Sequence, residues 1–285
     1  MTQVKNKKLN MGPFFVFLAS LCFSIGGLCI KSISWNAMAI NGGRNILAAL
    51  VFGVYLLITR HKLVINKPVI IGALSMSATT ILFTFANKMT TAANTIILQY
   101  TAPIFVVILS ALIFKVKPKK LDIVAIILIF GGVVCFFIDS LAAGNMLGNG
   151  LALLSGLTYA GIFMMNTAKN ADSLSSTFFG MCINVIVGLP FLIQQDFSGT
   201  TGIAWVAFLC LGLFQVGFGY VFLNIGLKTT PATMASLVCG LEPVLNPIWV
   251  AIVYHELLTP LALVGAAIVF LTIIIYNILK AKPTS

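Results

Sequence analysis

The chain reads as an all-α integral membrane protein of ten transmembrane helices, arranged as two inverted five-helix repeats. Three observations predict this. Of 285 residues, 60% are hydrophobic and 8% charged, where a soluble domain carries roughly 25% charged residues. Charge-free runs of about the 20 residues needed to span a bilayer recur along the whole length. Lys and Arg gather in alternate connections. Neither an ordinary globular enzyme nor a disordered chain has this composition. The net charge of +11 marks topology here, with phospholipid headgroups as its acidic partner, and not a nucleic-acid interface.

The first span is expected over 13–31. It follows Lys5, Lys7 and Lys8 as a secretory signal would, but its apolar run is too long and no small-residue cleavage pattern follows. The second, 37–59, is interrupted only by Arg44, and the third, 68–86, opens at Pro68. The fourth, 92–114, carries Pro103 in mid-span; the fifth, 121–139, follows the basic stretch from Lys115 to Lys120. A glycine-rich joint over 144–150 leads into spans at 147–168, 174–194 and 203–226. The ninth, 232–254, holds Glu242 and Pro243, and the tenth covers 259–280. These runs are too long and irregular for β-barrel strands. Connections are short, so no soluble domain is inserted.

Counted from an N-terminus inside the cell, 14 of the 17 basic residues fall on the inner side; only Lys31, Arg44 and Lys88 do not. The positive-inside rule then puts both termini in the cytoplasm of a multi-pass cell-membrane protein. Cys22, Cys29, Cys135, Cys182, Cys210 and Cys239 all fall inside predicted helices with no CxxC pair. They read as small packing residues, not as disulfides or metal ligands.

The two halves, 1–143 and 144–285, look alike. Adding 140 takes Lys88 to Lys228, Pro103 to Pro243 and Leu121 to Leu261, and adding 136 takes Gly12 to Gly148. Five helices is an odd number, so the second half enters the membrane from the opposite side. Inverted repeats are a mark of secondary transporters, whose site lies near the midplane between the halves.

The polar residues inside the spans are few. Arg44 is costly to bury, by roughly 2.5–3.5 kcal/mol on insertion scales. It either contacts a substrate carboxylate or a helix C-terminus, or snorkels to the outer surface. Glu242 is the one acid deep in a helix, and Pro243 behind it frees backbone carbonyls. It is a candidate for proton coupling, for a counter-charge to a cationic solute, or for a neutral carboxyl bridging helices. Cys239, Glu242 and Asn246 share a helix face. The 140-residue shift maps Gln99 onto Cys239, Ser75 onto Gln215 and Thr79 onto Gly219. Candidate substrate contacts are therefore Gln99, Tyr100, Tyr159, Gln215, Glu242, Asn246 and Arg44, although Ser, Thr and Gln also serve helix packing. Lys31 and Lys88 read as snorkelling residues, His61 as solvated in a basic loop, and His255 with Glu256 as a turn contact. No phosphate cradle, catalytic triad or metal cluster is evident, so neither a cofactor nor a metal is expected.

The chain resembles EamA-type members of the drug/metabolite transporter superfamily. The resemblance rests on Gly12 with Leu18-Ala19-Ser20, on Arg44-Asn45-Ile46-Leu47-Ala48-Ala49, on Leu241-Glu242-Pro243-Val244 and on Tyr254-His255-Glu256-Leu257-Leu258-Thr259-Pro260. The last is similar to the family's G-E-x-L-T stretch, with His255 where Gly is usual; the first half has Lys115-Val116-Lys117 there, without a glutamate. The resemblance implies ten helices and transport of small metabolites or drugs, often outward. The expectation is a secondary transporter working by alternating access, an exporter and proton-coupled. An ion channel or an intramembrane lipid-modifying protein is the alternative. Its partners would be a small-molecule substrate and membrane lipids, in a monomer or weak homodimer.

Overall fold

Helix start signals recur at the span boundaries. Asn36 accepts a hydrogen bond from Met38 N–H, Asn66 from Val69 N–H, Asn145 from Leu147 and Gly148 N–H, Asp172 from Ser175 N–H and Thr201 from Ala204 N–H. Each satisfies donors that a helix start leaves free. The computed structural model describes residues 10–90, 92–137, 145–165, 167–245, 249 and 259–281, and among these no strand occurs. The elements are α1 (Gly12–Phe23), α2 (Gly26–Lys31), α3 (Ala37–Ile58), α4 (Lys67–Met89), α5 (Ala92–Gln99), α6 (Ala102–Phe114), α7 (Lys120–Phe137), α8 (Met146–Phe163) and α9 (Ser173–Ile193). They continue with α10 (Gly202–Cys210), a π-helical stretch (Leu211–Phe218), α11 (Gly219–Leu227), α12 (Ala232–Val238), a 3-10 turn (Cys239–Leu241) and α13 (Pro260–Ala281).

Among the described residues, seven segments are long and apolar enough to cross a membrane: Gly12–Lys31, Ala37–Ile58, Lys67–Met89, Asn94–Phe114, Met146–Phe163, Ser173–Ile193 and Gly202–Leu227. Shorter apolar helices cover Ala232–Leu245 and Leu263–Tyr276. The chain is an all-α, multi-pass membrane protein. Isoleucines and leucines such as Leu57, Ile193 and Ile203, each more than 70% exposed, face lipid.

Four of the predicted spans are not continuous helices. The first breaks at Ser24–Ile25, where the Ser24 hydroxyl turns back to the Leu21 carbonyl (2.7 Å) and Gly26 and Gly27 follow; both features weaken a helix. The fourth breaks at Tyr100–Thr101 just before Pro103, and the ninth tightens to a 3-10 turn just before Pro243. In each case the missing proline N–H disturbs the turn before it. The eighth widens into the π stretch Leu211–Phe218, which includes Gly212 and Gly217.

Close backbone packing holds α3 to α9. A Cβ on Gly188 would stand 2.4 Å from the Gly42 Cα, so only glycine fits on either side. Small residues permit such approach in membranes, where van der Waals contact drives helix association. Beside it, Asn184 donates to Thr80 Oγ1 (2.7 Å) and accepts from Ser77 Oγ (2.8 Å). Gly188→Val is expected to cost roughly 1–3 kcal/mol, the usual penalty for overpacking. It should lower the unfolding midpoint in detergent, and an unchanged midpoint would mean that the helices part freely.

At the lysine-rich end, the α3–α4 loop is tied to the α8–α9 loop. Contrary to a solvated histidine, His61 Nε2 lies 3.0 Å from Asp172 Oδ1, with both side chains about three-quarters covered. Val64 N–H donates to Ser175 Oγ (3.0 Å) and Asn66 Nδ2 to the Asn170 carbonyl (2.8 Å). Partial burial alone would raise the Asp172 carboxyl. Hydrogen bonds from Ser175 and the neighbouring His61 outweigh it and hold the group below the usual carboxylate value. A lowered folded value means that the unfolded chain takes up the proton first, so Asp172 stabilises the fold above about pH 4 and loses that contribution as pH falls further. Asp172→Ala should cost roughly 0.5–2 kcal/mol near neutrality. Unfolding midpoints of the two proteins should converge in acid, and a constant gap would contradict the assignment.

Candidate functional site

The interruptions in four spans bring polar groups to one place. A buried cavity is lined by Phe23 at the end of α1, Arg44 on α3, Thr79, Thr80 and Phe83 on α4, Gln99 at the end of α5 and Tyr159 on α8. Gln215 of the π stretch, Tyr220 of α11 and Glu242 after the 3-10 turn complete it. It offers about 30 Å³, room for about two water molecules. Ligand clefts measure roughly 300–1,000 Å³, so the helices here are closed around the site.

Arg44 is 1% exposed and does not snorkel. Its Nη2 donates to Asn41 Oδ1 (3.1 Å), the Thr80 carbonyl (3.1 Å) and Thr84 Oγ1 (2.8 Å), and its Nη1 to Gln215 Oε1 (3.3 Å). Its Nε has no partner among the described residues, and no carboxylate lies within ion-pair distance. The guanidinium thus joins three elements, and among the described residues its charge is met by dipoles. Its hold on the Gln215 oxygen leaves the Gln215 amide N–H groups as donors at the cavity wall.

Glu242 is 8% exposed on the same cavity. The Tyr159 ring lines the same cavity as the Glu242 carboxyl, and Cys239, fully buried, lies three residues before Glu242. Phe23 packs edge-on against Tyr159 (centroids 6.4 Å) and Tyr220 (5.1 Å), making an aromatic wall of the cavity. The arrangement offers one cationic group, one carboxyl, two carboxamides and a π surface. Among the described residues no cluster of three or more His, Cys, Asp or Glu exists to hold a metal.

Of the residues singled out from sequence, Arg44, Gln99, Tyr159, Gln215 and Glu242 come together on this cavity. Tyr100 does not. Its hydroxyl donates to the Ser236 carbonyl (3.2 Å) and reaches that of Leu237 (3.4 Å), acceptors in the distorted turn before Pro243. Asn246, His255 and Glu256 lie outside the described residues. Lys31 and Lys88 do not simply snorkel: they donate to the Thr90 and Ile33 carbonyls, capping chain ends opposite the lysine-rich end. All six cysteines are free. Phe23, Thr80, Phe83 and Tyr220 were not anticipated. Extending the 140-residue register by one position from Thr79–Gly219 would have paired Thr80 with Tyr220.

Two other cavities differ in chemistry. One of about 350 Å³ lies among Trp35, Phe197, Trp205, Phe208 and neighbours, with almost no polar lining. The other, about 280 Å³, opens at the lysine-rich end between the end of α8 and the α11–α12 turn.

A polar cavity enclosed by interrupted helices in an otherwise apolar helical bundle is the construction of a membrane transporter. The chain belongs to the EamA-like transporter family, whose sequence profile matches residues 10–138 and again 146–278. It is 25% identical over 243 residues to an uncharacterized transporter of Synechocystis sp., covering 80% of this chain and 73% of that protein. A crystal structure superposes with a TM-score of 0.81 at 15% identity, over 95% of this chain and 98% of the other, which shows a shared fold.

Proposed function

We propose that the protein is a secondary transporter that moves a small organic metabolite or drug out across the cytoplasmic membrane by alternating access, coupled to protons through Glu242. The observation that carries this reading is a buried arginine and a buried glutamate on one closed cavity, neither in an ion pair among the described residues. Such groups are expensive in a membrane unless function needs them. Their environment suits a solute that meets donors near Arg44 and Gln215 and an ionisable acceptor at Glu242.

The underlying architecture in this reading is ten spans in two inverted halves, 1–143 and 144–285. Two features support it. The family profile matches each half separately. Helix packing has the same symmetry: α1 pairs with α11 as α4 does with α8, while α3 with α9 and α7 with α13 each pair across the halves. The lysine-rich end, with Arg60, Lys62, Lys117 and Lys169, is then cytoplasmic by the positive-inside rule. The substrate contacts in this reading are Arg44, Gln99, Tyr159, Gln215 and Glu242, with Asn246, four residues after Glu242 in the sequence, as a further candidate. Tyr100 acts in packing, and the partners are the solute and surrounding lipid.

A thermal-stability screen of purified protein against a metabolite library should reveal a stabilising ligand. Proteoliposomes should then carry that ligand with saturable kinetics. Large unitary conductance would identify a channel instead, and chemical conversion of lipid an enzyme.

A further inference from the structure

The vestibule at the lysine-rich end and the central cavity are adjacent along α8. Phe163 and Leu227 line the vestibule, with Thr167, Lys228, Thr229 and Thr230 around its mouth. One helical turn deeper, Tyr159 lines the central cavity. The two rings pack with centroids 4.7 Å apart, and Phe163 and Tyr159 are 2% and 6% exposed. We infer that the Tyr159–Phe163 pair is the gate between the cytoplasmic vestibule and the central cavity, closed in this structure.

Three features make the pair suited to gating. The vestibule of about 280 Å³ gives the Phe163 ring somewhere to go, so opening needs a rotamer change and not the parting of packed helices. Tyr159 shares the central cavity with the Glu242 carboxyl, so the state of that group bears on one half of the gate. The seal is also one-sided. In the 136-residue register, Tyr159 corresponds to Phe23 but Phe163 to Gly27, so the opposite end has no second ring in this place. This inference rests on the carrier reading for its direction, though the barrier itself does not.

The test is side-specific labelling of native Cys239, which is fully buried and lies three residues before Glu242 of the cavity wall. The full chain and Phe163→Ala are placed in vesicles of known orientation, exposed to a charged, membrane-impermeant methanethiosulfonate, and read at the Cys239 peptide by mass spectrometry. Phe163→Ala should accelerate labelling from the lysine-rich side by about tenfold, about 1.4 kcal/mol in the opening equilibrium. Labelling from the other side should not change. Phe163→Leu, which keeps the core filled, should accelerate it less, and Phe163→Tyr should leave it unchanged. Equal rates in wild type and Phe163→Ala, or equal acceleration from both sides, would overturn the gate. Labelling needs no transported solute. One-sided acceleration in a protein that carries nothing in flux assays would keep the barrier and discard the carrier.

Discussion

Glu242→Gln is expected to abolish the acceleration of transport by a pH gradient while leaving exchange of solute across the membrane measurable. The substitution keeps the side chain's length and its hydrogen-bonding capacity, but it cannot take up or release a proton. Glu242 is the acid on the cavity wall, so the proposed proton-driven cycle would run through it. If the carboxyl is instead the counter-charge for a cationic solute, binding weakens by roughly 1.5–3 kcal/mol, the worth of a charge-assisted hydrogen bond. Parallel measurement of gradient-driven flux and of solute affinity in proteoliposomes separates the two. A variant equal to wild type in both assays would leave Glu242 as a neutral bridge between helices.

The second large effect is expected at Arg44. Arg44→Ala leaves the acceptors on Asn41, Thr84 and Gln215 without their shared donor, in a site that is 1% exposed. A buried acceptor left without its donor costs roughly 1–3 kcal/mol, and the variant should unfold in mild detergent before wild type. Arg44→Lys keeps the charge but replaces a planar fork by a single ammonium, so it should recover only part of the loss. If Arg44→Ala is instead as stable as wild type and fails only in solute binding, its role is contact with the solute and not the joining of α3, α4 and the π stretch.

Much of this is legible in the sequence. The spans could be placed because a bilayer forbids charge over about 20 residues, and the caps at Asn36, Asn66 and Asp172 appear where those runs begin. Gln99 and Glu242 could be brought to one cavity because a constant shift relates two proline-bearing spans. What the sequence hid has physical causes. Tyr100 neighbours Gln99 in the chain but lies about 100° around the helix axis, and a carbonyl freed across the interface claimed its hydroxyl. Phe23 lies on a helix that is apolar almost all round, so no periodicity separates a cavity face from a lipid face; Phe83 stands one turn beyond Thr79 and Thr80 on the same face of α4, a spacing that could have found it. His61 looked solvated because its partner Asp172 is 111 residues away. Arg44 gave no hint of its partners, since they are uncharged groups on three elements.

The central claim is that one site is offered to the two sides of the membrane in turn. Counterflow tests it most directly. Proteoliposomes are loaded with an unlabelled ligand found by the stability screen, and a trace of the same labelled compound is added outside. Alternating access predicts transient accumulation of label above its equilibrium level and faster entry than into empty liposomes, because the returning site is occupied. Entry that rises linearly with concentration and ignores the internal ligand would contradict it, and would mark an open pore.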